Sequence, residues 1–365
     1  MLSRRQFTFT SAALTSGVAL PACSASGESY EAAVQGTWRL GDKATLPPTE
    51  LQRELVRLAT LAPSSHNTQC WRFAIESPQR ITIFPDLARR CPAVDPDDHH
   101  LYVSLGCAAE NLAQGALAHG LKAQAAFDAQ REAIGIALEP TPAVSTPLFK
   151  GIAERQCTRG EYDGKPLSAD DLSALTRAAA SDSVELMLLT DKPAIERVLE
   201  FVVQGNTAQI DDPAFVDELK AWIRFSSADA VRLGDGLYAA SSGNPALPTW
   251  LGSLMFDLVF TPKSENDKYA KQLRSSAGVA IFTAKNADKA NWVEVGRAYE
   301  RFALQAAALG IRNAMLNQPV EVAALRESFA SAVGLAGRRP DLVVRFGRGP
   351  KLPPSLRRPV AAVIV

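Results

Sequence analysis

The densest run of hydrogen-bonding side chains in the sequence is Ser64-Ser65-His66-Asn67-Thr68-Gln69, between Pro63 and Cys70. A helix cap or a turn uses one such residue. A planar, polar ligand with several donors and acceptors uses many, and six in a row suit that role. Taken singly, Ser64, Ser65 and Asn67 also read as caps and turn formers. A second cluster, Arg155-Gln156-Cys157-Thr158-Arg159, sets two guanidinium groups just before a helical pattern. That spacing can grip a phosphate from two sides through charge-assisted bonds, although alone it also describes a solvated basic turn. A third is the run Arg338, Arg339, Arg345, Arg348, Lys351, Arg357 and Arg358, in which Asp341 is the only acid. It reads as an anion-binding surface or a solvated tail. The fourth is Asn317-Gln318-Pro319, a turn able to offer backbone N–H groups to the edge of a ligand.

Other chemistries leave no trace. The sequence has no Gly-x-Ser-x-Gly nucleophile element, and His66, His99, His100 and His119 have no evident partners. Among Cys23, Cys70, Cys91, Cys107 and Cys157 there is no Cys-x-x-Cys or Cys/His ligand spacing, so no metal site is expected. Isolated cysteines read as small buried hydrophobes. Asp95, Asp97, Asp98 and His99 are too close together to converge on one ion and read as a solvated turn and helix start.

These clusters need elements to position them. Leu51, Leu55, Leu58 and Ala62 share one helical face after Thr49, a capping residue, and the helix stops before the polar loop. Short β-prone runs at 72–76 and 81–84 form a hairpin, a helix covers 101–119, and strands follow at 123–127 and 134–138. Pro140, Pro142 and Pro147 mark a linker. Beyond it, helices are expected at 167–179, 194–203 and 212–225, and strands at 184–189, 278–283 and 342–346. Residues 27–48 read as a leader arm, 226–275 as an irregular stretch, and 360–365 as a β-branched tail. Trp292, Val295, Tyr299, Phe302, Ala306 and Leu309 form a helical stripe. Strands and helices do not alternate as strict βαβ units, so the fold class is α+β. At 365 residues the chain is long enough for two units. Lys plus Arg and Asp plus Glu are 39 each, and a neutral chain that is 47% hydrophobic is foldable and is not a nucleic-acid binder.

The first 26 residues have the layout of an export signal: Arg4-Arg5, an uncharged stretch from Phe7 to Leu20, then small residues around Cys23. Ser3-Arg4-Arg5-Gln6-Phe7 resembles a twin-arginine signal, a route for proteins already folded. Leu20-Pro21-Ala22-Cys23 resembles a lipoprotein cleavage box, with Cys23 as the lipidated residue. The expected location is the periplasm, free or anchored to the membrane.

Pro63-Ser64-Ser65-x-Asn67-x-Gln69-x-Trp71 is similar to the signature of the FMN-dependent nitroreductase superfamily. Arg155-x-Cys157-x-Arg159 resembles that family's phosphate-binding Arg-x-Ser/Thr-x-Arg element, with Cys157 replacing the hydroxyl residue. Asp95-Pro96-Asp97, Gly106-x-Ala108-x-x-Asn111-Leu112, Leu309-Gly310, Asn317-Gln318-Pro319-Val320-Glu321 and Leu356-Arg357-Arg358-Pro359 extend the likeness toward the fused-tandem Acg-like branch. The resemblance implies two nitroreductase-like halves, 49–148 and 149–365, the second with a lid-like insertion at 226–275. Together they would mimic the family's homodimer in one monomeric chain. Each half keeps what the other has lost, the polar loop in the first and the arginines in the second, which implies one composite FMN site. There Arg155, Arg159 and Arg357 or Arg358 would hold the phosphate. Ser64, Ser65, Asn67 and Gln69 would bond the ribityl chain and ring edge, with Asn317 and Gln318 near the flavin's reactive side. The flavin would carry the hydride chemistry, so no protein catalytic group is demanded. The expected partner is a small-molecule substrate or electron donor. The alternative is a non-catalytic flavin-binding or flavin-sequestering protein.

Overall fold

The computed structural model describes residues 29–41 and 46–365; the export-signal and Cys23 expectations lie outside the described residues. The chain first forms α1 (Tyr30–Thr37), α2 (Pro48–Thr60), β1 (Trp71–Ser77), β2 (Arg80–Pro85), α3 (His99–Ala118), β3 (Leu121–Asp128), β4 (Ala133–Pro140) and α4 (Pro147–Gly151). Next come α5 (Ala169–Ala178), β5 (Val184–Leu189), α6 (Lys192–Ile210), α7 (Pro213–Trp222), β6 (Ile223–Arg224), α8 (Ser227–Leu233), β7 (Leu237–Tyr238), α9 (Thr249–Val259) and α10 (Pro262–Arg274). Finally β8 (Gly278–Ala284), α11 (Lys289–Ala308), β9 (Arg312–Met315), α12 (Gln318–Glu321), α13 (Arg326–Ala332) and β10 (Leu342–Gly347) complete it.

Two four-stranded sheets, ordered β1-β2-β4-β3 and β5-β8-β10-β9, repeat one plan: first, second, fourth, third strand. Every pairing within them is antiparallel. In each half a 20-residue helix, α3 or α11, links the second strand to the third. The fold is α+β, antiparallel sheets flanked by helices. Each long helix carries glycine at its eighth position and valine at its fifth, and the pairs meet reciprocally. A Cβ on Gly106 would stand 2.0 Å from the Val293 carbonyl oxygen, and one on Gly296 would stand 1.9 Å from that of Val103. Only glycine permits that approach of two backbones, and the reciprocity is that of a two-fold interface. One apolar core runs through both halves, from Leu55, Phe73 and Leu112 to Phe282, Phe302 and Phe346.

Two expectations are corrected. Residues 226–275 are not irregular; they contain α8, α9 and α10. The stretch without a counterpart in the first half is also wider, reaching from the end of β5 to the start of β8, where the first half has only Pro78 and Gln79. The β-branched tail, after a 3-10 turn at Val360–Ala362, brackets the edge strand β1. Phe73 N–H donates to Val363 O at 2.7 Å and Val365 N–H donates to Phe73 O at 2.9 Å. The expected leader arm, for its part, contains α1.

Candidate functional site

The polar loop after α2 is built on backbone that ordinary residues seldom adopt. His66, Asn67 and Gln69 have φ of 47°, 51° and 54°, a left-handed conformation that persists only when neighbours enforce it. Ser64 Oγ accepts from Gln69 N–H at 2.9 Å and closes the turn. Asn67 Nδ2 donates to Gly236 O at 2.9 Å and to Leu356 O at 3.2 Å. Gln69 Nε2 donates to Gly234 O at 2.8 Å, while its Oε1 accepts from Arg358 N–H at 2.9 Å. Arg358 also donates to Gln69 O at 2.6 Å. Three distant stretches are thereby latched together.

Against this loop lies a cavity of about 480 Å³. Nine of the eleven residues singled out from the sequence line it: Ser64, Ser65, Asn67, Arg155, Cys157, Arg159, Asn317, Gln318 and Arg357. Gln69 and Arg358 do not; each is spent on the latch. The segment between β5 and β8 supplies another wall, including Met255 and Phe256 of α9 and Tyr269 of α10.

The three arginines at the cavity are in different states. Arg155 is buried with its Nε 3.2 Å from Glu300 Oε1, and its Nη2 donates to Leu61 O at 2.7 Å. Arg357 donates to Thr60 O at 2.6 Å, Leu61 O at 3.1 Å and Ala62 O at 3.0 Å. These are carbonyls at the C-terminal end of α2, where a cation is favoured. The Trp38 ring lies 4.9 Å from the Arg357 guanidinium and 6.0 Å from that of Arg155. Burial, with Arg155 nearby, lowers Arg357 to about 9, and burial raises Glu300 to about 7. Two buried guanidinium groups against one carboxylate leave positive charge in excess. Arg159 lines the same cavity, and among the described residues its guanidinium has no hydrogen bond or ion pair. Gln318 Oε1, also at the cavity, is a buried acceptor without a partner. Gly205 of α6 passes so close that a Cβ there would stand 2.8 Å from Gln318 Cβ. Asn317 Oδ1 is engaged, accepting from Val343 N–H at 3.0 Å. One unpaired guanidinium, excess positive charge, an orphaned amide oxygen and apolar walls fit a flat ligand carrying an anion.

Three of the four histidines, His66, His99 and His100, have partners, contrary to expectation; His119 Nε2 has none among the described residues. His100 lines the cavity with Nδ1 3.5 Å from Glu321 Oε1 and Nε2 3.0 Å from Asp341 O. Gln209 Nε2 donates to the other Glu321 oxygen at 2.7 Å. Burial would push His100 down, but Glu321, Asp95 and the Asp341 carbonyl together raise it to about 9. His99 Nε2 lies 2.9 Å from Asp341 Oδ1. Asp95 is no solvated turn residue either: it is buried, and its Oδ2 accepts from Leu101 N–H at 2.9 Å. The His100–Glu321 and His99–Asp341 pairs join residues too far apart in sequence for any local pattern to announce them. His66, Cys91 and Glu218 also lie within 4.8 Å of one another. Both Glu218 oxygens are taken by the N–H groups of Ala93 and Val94, at 2.9 and 3.2 Å, and burial pushes the Cys91 thiol up.

The equivalent place in the other half is built differently. Glu110 and Glu300 are each the twelfth residue of their helix. Glu110 pairs with Arg301 at 3.1 Å, and Arg301 donates to Ala178 O at 3.0 Å and Ala180 O at 2.9 Å. There the end of α5 is capped from within α11, beside a stretch of alanines.

No family model matches the chain. Over 349 residues, 91% of this chain and 96% of the relative, it is 25% identical to a protein of Mycobacterium tuberculosis provisionally named NAD(P)H nitroreductase Rv3131. Over 340 residues, 87% of this chain and 96% of the relative, it is 23% identical to a second protein of that organism, provisionally named NAD(P)H nitroreductase acg. A solved nitroreductase with bound FMN from Desulfitobacterium hafniense is 16% identical and covers 59% of this chain and 96% of its own, with a TM-score of 0.38. The FMN-dependent nitroreductase NfnB of Mycobacterium smegmatis, solved in complex with NADPH, is 14% identical over 55% of this chain and 86% of its own, with a TM-score of 0.36. Sequence likeness along nearly the whole chain supports the nitroreductase superfamily resemblance carried by the motifs.

Proposed function

We propose that this chain is a nitroreductase-type flavoprotein that holds one FMN per chain in its composite cavity and reduces or oxidises a small molecule there. The observation that carries the reading is the state of the cavity's polar groups. Arg159 has no partner among the described residues, Arg155 and Arg357 bring more positive charge than Glu300 offsets, and Gln318 Oε1 is buried and unsatisfied. Arg159 and Arg155 would take the phosphate, and Ser64, Ser65 and Asn67 the ribityl chain. Gln318 and Asn317 would meet the polar edge of the ring. Gln69 and Arg358 are better read as positioning residues that hold the loop's left-handed turns. Bound FMN would supply the hydride chemistry itself. The protein's part is to hold the phosphate, orient the ring and exclude water with the helices between β5 and β8. In the other half, Arg301 caps α5 and no polar loop follows, so we assign no second flavin there.

The test is an absorbance spectrum of the purified protein, with released flavin quantified against chain. The expected result is one FMN per chain. Arg159→Ala should weaken FMN binding by about 10- to 100-fold, the loss of a charge-assisted bond of roughly 1.5–3 kcal/mol, with the melting temperature unchanged. Two flavins per chain would overturn the single-site reading, and a colourless protein that refuses added FMN would overturn the whole. The names of the mycobacterial relatives make NADH and NADPH the first donors to try. A flavin that no donor bleaches would favour the alternative, a flavin-holding protein without turnover.

A further inference from the structure

Helix α9 is apolar on two opposite faces. Its sequence, Thr249-Trp-Leu-Gly-Ser-Leu-Met-Phe-Asp-Leu-Val259, has one charge, Asp257, and Lys220 Nζ neutralises it at 2.6 and 2.7 Å. One face is inward: Gly252 packs on the Phe225 ring, and Met255, Phe256 and Val259 line the cavity. The other is bare. Trp250, Leu254 and Leu258 recur every four residues and are 72%, 51% and 66% exposed. Of the nine exposed large hydrophobics among the described residues, these three share one helix face, and Met255 and Val259 on the cavity side of the same helix are two more. An apolar patch so concentrated marks an interaction surface, because scattered single residues are the norm.

The place where the described chain starts says what the surface meets. Ser29, Tyr30 and Glu31 border a cleft shared with Ser227, Ala228, Val231 and Tyr238, and the Tyr30 and Tyr238 rings lie 4.9 Å apart. Thr249, the first residue of α9, is tied to the start of α8 through Asp229 and, at 3.5 Å, through Ser226 Oγ. The 28 residues before Ser29 therefore join the molecule beside the N-terminal end of α9. Those residues carry the arginine pair, the uncharged stretch and Cys23. Cys23 is six residues from Ser29, a reach of roughly 20 Å at full extension.

We propose that the Trp250-Leu254-Leu258 stripe of α9 docks on a lipid bilayer, seating the cavity's apolar wall at the membrane interface. A tryptophan at the start of an exposed, near-neutral apolar stripe suits the boundary between headgroups and acyl chains. With Asp257 neutralised by Lys220, burial rather than attraction to anionic lipid drives the contact. The docking does not depend on flavin.

The experiment uses the full chain carrying Cys23→Ser, which removes any lipid anchor, and flotation with vesicles of phosphatidylcholine. The expected result is co-flotation that 0.5 M NaCl does not reverse, reduced roughly tenfold or more by Leu254→Glu with Leu258→Glu. Neither residue lines the cavity, so flavin content and melting temperature should match those of the parent. Equal flotation of parent and double variant would overturn the proposal, because the leader alone would then carry the binding. So would no flotation of the parent, or a dimer that the same two substitutions dissolve. Loss of flavin binding in an otherwise floating protein would count against the flavin reading alone.

Discussion

His100 keeps its proton in a buried cavity wall because three groups around it favour the charged ring more than burial disfavours it. Glu321 is its ion-pair partner, Asp95 adds negative charge, and the Asp341 carbonyl faces Nε2. The histidine is raised from its ordinary range to about 9, so it binds a proton more tightly folded than unfolded. Its contribution to stability is complete below about pH 6.5 and fades as pH climbs through about 9. Glu300, raised by burial to about 7, has the same sign at lower pH, and its loss is complete before His100's dominates. Thermal melts between pH 7.5 and 8.5, below the range in which Arg357 acts with the opposite sign, should therefore show stability falling by up to about 1.4 kcal/mol per pH unit, the limit for one proton. In His100→Gln the melting temperature should be lower at pH 7.5 and flatter across the same interval. Parallel curves for the two proteins would remove His100 as the titrating group. Arg155 and Arg159 show the same dependence on surroundings from the other side. They look alike in the sequence, yet Glu300 and the Leu61 carbonyl engage Nε and Nη2 of the first while nothing among the described residues engages the guanidinium of the second.

At the scale of elements, the contact that matters most is α3 against α11. Gly296→Val would drive a Cβ to 1.9 Å from the Val103 carbonyl oxygen, which is backbone and cannot swing aside. The helices would have to separate, and overpacking of this kind costs about 1–3 kcal/mol or more. We expect a fall of several degrees in melting temperature, together with weaker flavin binding because Glu300, the partner of Arg155, rides on α11. Gly36→Ala is the control: a Cβ there meets nothing within 4 Å, in a helix where alanine is preferred, so stability should hold or rise slightly. Equal losses in the two variants would mean that the close approach is not what glycine is for. The sequence made some elements plain and hid others for physical reasons. The stripe from Trp292 to Leu309 has the 3.6 period of a helix pressed on a core, and α11 forms there. Helix α9 escaped notice because a helix apolar on both faces has no such period. Residues 360–365 have the composition of a strand, but a single extended residue beside Phe73 is all the pairing that tail makes. Asn67 and Gln69 were legible as functional polar residues yet not as latches, since their partners stand 165 or more positions away.

For the whole molecule, the two halves share what separate domains would each possess. The apolar core is continuous across them, and the cavity takes its loop from one half and its arginines from the other. The C-terminal tail returns from the second sheet to bracket β1 of the first, through Phe73, Val363 and Val365. Arg357 and Arg358 on the same tail hold the end of α2 and the polar loop. Chains of this length commonly unfold in stages, one domain at a time. Here neither half can lose its packing without stripping the other of its helix partner, so a single transition is expected. Calorimetry should give equal calorimetric and van't Hoff enthalpies, with circular dichroism and tryptophan fluorescence melting at one temperature. A fragment of residues 46–145 would expose the face of α3 that α11 covers, and should lack native near-ultraviolet circular dichroism. Two resolved transitions, or a fragment that folds alone, would mean that the repeat of strand order is also a division into independent domains. One transition and an unfolded fragment would mean that the pseudo-two-fold interface is itself the core from which both sheets take their stability.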